Sequence, residues 1–69
     1  MVRIFATNIK NPVQADFLVK VILEAYPHHR VNFDLEDCDK ILRMEGREFN
    51  CDSVVNILKK NGYDCTEIY

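Results

Sequence analysis

Apolar residues along this chain switch between a two-residue and a 3.6-residue period, and the order of the switches admits few folds. Val2, Ile4 and Ala6 alternate with Arg3, Phe5 and Thr7, which predicts a strand from Val2 to Thr7 with one face buried. Asn11 then offers a capping side chain, and Pro12 suits a first helical position, where a missing N–H costs nothing. No glycine and no second proline follow until Pro27, so a helix is predicted from Pro12 to Tyr26. Ala15, Leu18, Ile22 and Ala25 form its core stripe, while Asp16, Lys20 and Glu24 form a solvated one.

The second half repeats the logic. Val31, Phe33 and Leu35 alternate with Asn32, Asp34 and Glu36, a polar turn runs from Glu36 to Asp39, and Lys40 to Glu45 predicts a third strand with Leu42 and Met44 on one face. Gly46 breaks it. Asn50 caps a second helix reaching about Asn61, with Cys51, Val54, Val55 and Leu58 inward, and Gly62 stands where a left-handed cap belongs. Tyr63 to Ile68 predicts a fourth strand. The order βαββαβ is that of an α+β, ferredoxin-like sandwich. Right-handed crossovers give an antiparallel four-stranded sheet in the order 4-1-3-2 with both helices on one face. The loop from Thr7 to Pro12, the turn at Cys38 and Gly62-Tyr63 then meet at one end, and Pro27-His28-His29 meets Gly46 to Cys51 at the other.

Residues 1–69 are read as one domain, since a chain this short buries only about 60% of its unfolded surface and has no room for a second core. The longest apolar run, Phe17 to Leu23, is broken by Lys20 and falls short of the ~20 residues of a membrane span. Met1 to Phe5 lacks the apolar stretch and cleavage site of a signal peptide, so a cytoplasmic location without membrane attachment is expected. Cys38, Cys51 and Cys65 are odd in number and none forms a Cys-x-x-Cys pair, which reads as three reduced thiols. Nine Lys and Arg against eleven Asp and Glu, with no basic run, argue against a nucleic-acid partner. Lys40-Ile41-Leu42-Arg43-Met44 also lacks the aromatic platform of an RNA-recognition strand.

The strand exit Thr7-Asn8-Ile9-Lys10 and the helix start Asn11-Pro12-Val13-Gln14 are followed by Asp34-Leu35-Glu36-Asp37, Asp39-Lys40-Ile41-Leu42, Glu45-Gly46 and Lys59-Lys60-Asn61-Gly62-Tyr63. Over nearly its whole length the chain resembles the heavy-metal-associated domain of small copper and zinc chaperones and metal-transporter modules. In that family the first loop reads Cys-x-x-Cys and two thiolates hold a soft cation. The matching positions here are Asn11 and Gln14, whose amides suit such cations poorly. The resemblance implies that Ile9 anchors the loop in the core, and that Lys10 and Tyr63 are its neighbours.

Other candidate positions are weaker. Asn11, Gln14 and the first N–H groups of the helix could hold a small anion, but Pro12 removes a donor and no glycine lets the backbone form an anion-cradling nest, so Asn11 is read first as a plain cap. Cys38 lies between Asp37 and Asp39, whose charges disfavour a thiolate; Cys51 is read first as a half-buried packing cysteine, and reacts fastest of the three if the dipole of the helix it starts lowers its pKa; Cys65 is expected in the core. His28 and His29 point opposite ways on an extended segment, so one of them with Cys51 supplies at most part of a metal site. Phe5, Ile41 and Ile68 are expected to form an apolar patch on the helix-free face, and Phe17 and Leu23 extend helix one beyond its core stripe.

No Ser/His/Asp set, enclosed carboxylate pair or Gly-rich phosphate loop can be assembled, so no enzymatic activity and no cofactor are expected. The function expected is that of a heavy-metal-associated-like domain with a degenerate metal loop, acting on a protein partner or as a homo-oligomer. The alternative is copper or zinc binding through Cys or His outside the loop.

Overall fold

Phe5 stands opposite Leu42 on one neighbouring strand and Glu67 on the other, and that register organises the molecule. The computed structural model describes residues 1–68, in the order β1 (Val2–Thr7), α1 (Pro12–Ala25), β2 (Arg30–Asp34), β3 (Ile41–Glu45), α2 (Cys51–Lys60) and β4 (Cys65–Glu67). All pairings are antiparallel and the sheet order is β2-β3-β1-β4, the expected 4-1-3-2 order counted from the other edge. Phe5, Leu42, Met44 and Cys65 meet Ala15, Leu18 and Ile22 of α1 and Val54 and Leu58 of α2 in one core, so both helices cover the same face. Ile9 and Phe49 fill it from the loops. No helix among the described residues is long and apolar enough to cross a membrane.

The element ends differ from the periodicity where backbone groups find closer partners. Lys40 is left out of β3 because it adopts φ 47° to close a turn, its N–H donating to the Asp37 carbonyl at 3.0 Å. β2 stops at Asp34, whose Oδ1 accepts the Glu36 N–H at 3.2 Å. Tyr63 does not begin β4: its N–H donates to the Leu58 carbonyl, and the Gly62 N–H, at φ 88°, donates to that of Lys59. That is the left-handed helix end anticipated at Gly62. Tyr26 caps α1 rather than extending it, and Ala25 is exposed rather than inward. Gly46, at φ 148°, has the His29 ring where a side chain would go, with Cδ2 2.7 Å from an added Cβ.

One placement is corrected. Phe5 is fully buried and belongs to the core, not to the helix-free face. Both halves of the β1 alternation carry apolar side chains, and the half opposite Leu42 and Met44 lies under the helices. The helix-free face is therefore built from Val2, Ile4 and Ala6, with Ile41 on the neighbouring strand β3 and the Ile68 N–H bonded to the Ile4 carbonyl. Ile41 is half-buried and Ile68 exposed, so the apolar patch exists with Ile4 in the place expected for Phe5. On α1, Phe17 is 52% exposed and Val13 78%, while Leu23 is half-buried.

Candidate functional site

The β1–α1 loop is locked by its own side chains. Asn11, extended at φ −146°, accepts the Gln14 N–H on Oδ1 at 2.9 Å, and the Gln14 side chain reaches back past it to accept the Lys10 N–H on Oε1 at 2.9 Å. The first bond satisfies a helix-start donor that would otherwise face water, and the second satisfies the N–H of the residue before the cap. The two side chains at the positions expected to carry metal ligands thus spend an oxygen each on the backbone. Ile9 is fully buried beneath them and anchors the loop. Lys10 is exposed and Tyr63 half-buried.

The neighbouring loops meet here as expected. The Thr7 N–H donates to the Asp39 carbonyl at 3.0 Å, and the Thr7 hydroxyl donates to the Lys40 carbonyl. Asn8 bonds Asp64 at the start of the last strand segment. In the turn, Asp37 Oδ1 accepts the Asp39 N–H at 2.8 Å, and the Lys40 ammonium donates to the Leu35 carbonyl at 2.9 Å. Among the described residues, Asp37, Cys38 and Asp39 form the only group of three or more metal-ligating side chains with ligand atoms within 4.8 Å, and all three are exposed. Sequence alone marks Cys38 as an ordinary surface thiol and misses this convergence, which the turn creates.

His28, His29 and Cys51 form no such group. His28 is exposed; His29 turns inward, donates from Nε2 to the Arg47 carbonyl at 2.8 Å, and packs edge-on against Tyr26 and Phe49 with ring centroids 5.3 Å away in each case. Phe49, not anticipated as core, completes that aromatic cluster and is itself buried. It sits in a loop, where no periodicity marks it.

Cys51 is half-buried against the core, as its packing reading has it, but its thiol is not made more acidic by the helix start. Its thiol pKa is raised, first by burial and then by the Glu67 carboxylate, with the Arg3 guanidinium pulling partly back. Arg3 Nε lies 3.6 Å from Glu67 Oε2 beside it. Burial and a carboxylate brought from β4 set that direction, and helix position alone reveals neither. Burial pushes Cys65 up to about 11. All three cysteines are free thiols.

No protein-family model matches this chain, and no curated protein matches it.

Proposed function

We propose that this chain is a ferredoxin-like domain of the heavy-metal-associated type whose metal loop has become a helix cap, and that it serves as a non-enzymatic protein-interaction or small assembly module. The observation that carries this reading is that the Asn11 side chain accepts the Gln14 N–H while the Gln14 side chain accepts the Lys10 N–H. Two amides stand at the ligand positions, and each side-chain oxygen is committed to the backbone. The interaction half of the reading is supported by the apolar surface left after the core is complete, with Ile4, Ala6, Ile41 and Ile68 on the helix-free face and Phe17 and Val13 on α1.

The test is a gain of binding. Asn11→Cys with Gln14→Cys restores a thiolate pair on a loop still anchored by Ile9, and the reduced double variant is expected to take up one equivalent of Cu(I). A folded double variant that takes up none contradicts the kinship of the loop.

A second reading, transition-metal binding outside the loop, is favoured by the convergence of Asp37, Cys38 and Asp39 at the same end of the fold. Under that reading Cys38→Ser abolishes metal binding by the wild-type chain; under the first, there is none to abolish.

A further inference from the structure

The two edges of this sheet are built differently. β4 is short, Cys65–Glu67, and Glu67 lies on the helix-covered side of it, opposite Phe5. A short edge strand with an inward charge discourages further pairing. β2, at the other edge, has five residues, Arg30–Asp34, with no proline and no inward charge. Its inward residues Val31 and Phe33 are half-buried even though they face the helix layer. Among the described residues, no loop or cap donates to or accepts from the backbone of residues 30–34 on the outer side. Alternate residues of such a strand direct N–H and C=O groups away from the sheet, and these are left to solvent.

The sequence of β2, Arg-Val-Asn-Phe-Asp, is complementary to itself when reversed. Laid antiparallel on a second β2 about a dyad at Asn32, Arg30 stands opposite Asp34 of the second copy, Val31 opposite Phe33, and Asn32 opposite Asn32. Residues directly opposite in an antiparallel pair share a face. Both charge pairs then lie on the helix-free face and both apolar pairs on the helix side. All five residues of the strand find partners in this register. Arg30 is available for it: its side chain is 82% exposed and, among the described residues, its only ion-pair partner is Glu45 at 3.9 Å. The apolar pairs extend an existing groove of about 480 Å³ between α1 and β2, lined by Val19, Val31, Phe33 and Leu35 with Pro12 and Asp16 at its rim.

We propose that two copies of this chain associate by antiparallel pairing of their β2 strands about a dyad at Asn32, giving one continuous sheet in which the four strands of each copy are joined edge to edge. The two α1 helices then flank the seam on one face and close the groove. The proposal rests on the reading of the domain as an interaction module and names its partner.

Charge reversal tests it with a signature that no other surface produces. Arg30→Asp sets a new carboxylate against Asp34 twice across the dyad, and Asp34→Arg sets a new guanidinium against Arg30 twice, so each variant alone is expected to lose about tenfold or more in self-association. When the two variants are mixed, each homodimer keeps its two like-charged pairs; in the heterodimer the carboxylates of one chain face the guanidiniums of the other at both positions, and association at wild-type strength is expected. Sedimentation reads all three, against a wild type expected at twice the 8.1 kDa chain mass. A wild type that stays monomeric at millimolar concentration overturns the proposal, as does self-association by either variant at wild-type strength or failure of the mixture to associate. Circular dichroism of the variants excludes unfolding as the cause. None of these outcomes touches the capped loop, so tight Cu(I) binding by the wild type overturns the broader reading separately.

Discussion

Asn8 and Asp64 hold each other at two points: the Asp64 N–H donates to Asn8 Oδ1 at 2.8 Å, and the Asn8 amide donates to Asp64 Oδ2 at 3.3 Å. The residues are far apart in sequence, and their clasp ties the exit of β1 to the entry of β4 at the end of the fold that carries the capped loop. Each bond is exposed, so the net contribution is that of ordinary surface hydrogen bonds. Asn8→Ala is expected to lower unfolding stability by about 1 kcal/mol and to speed amide exchange at Asp64. Urea titration with hydrogen exchange checks both, and unchanged exchange at Asp64 would show that the clasp does not persist in solution.

The two faces of β1 separate cleanly by substitution. Phe5→Glu places an unpaired carboxylate among Leu42, Leu18 and Ile22 and is expected to cost more than about 3 kcal/mol, enough to unfold a domain this small. Ile4→Glu, opposite Arg43 on the helix-free face, is expected to cost about 1 kcal/mol or less. Thermal melts of the two variants make the comparison. A stable Phe5→Glu variant would mean that β1 presents its other face to the core.

Much of the architecture is readable because its boundaries carry chemistry. Asn11-Pro12 and Asn50 begin helices and Gly62 ends one, and those signals are local, so they survive without knowledge of the rest of the fold. What is not local is less legible. β1 has apolar residues on both faces, and only the opposition of Phe5 to Leu42 decides which face is buried. The Cys51 thiol is raised by burial and by Glu67, a contact across the fold that its place at a helix start does not reveal. At the loop, the residue types at positions 11 and 14 already argue against a thiolate site. The bonds of both side chains to the backbone, which turn an absence of ligands into a structural cap, are visible only in three dimensions.

The thiols order differently from a helix-dipole argument. Cys38 is exposed, Cys51 is half-buried with a raised pKa, and Cys65 is buried and pushed up to about 11 from an ordinary 9.0. Brief alkylation of the folded protein followed by mass spectrometry is expected to find modification in the order Cys38, Cys51, Cys65. Cys65 also makes stability depend on alkaline pH. Its folded pKa lies above its unfolded one, so its contribution is complete below pH 9.0 and is lost as pH rises towards about 11. Cys65→Ala is expected to flatten that decline relative to wild type. An identical alkaline limb in the two proteins would show that Cys65 is not the group responsible.

The most direct test of the capped loop is a competition titration of the fully reduced wild-type chain with Cu(I) against a chromophoric chelator. With Asn11 and Gln14 bonded to the backbone and no thiolate in the loop, the chelator is expected to retain the metal throughout, as if no protein were present. One equivalent of Cu(I) withdrawn from the chelator by the wild-type chain, and no longer withdrawn after Asn11→Ala with Gln14→Ala, would contradict the account.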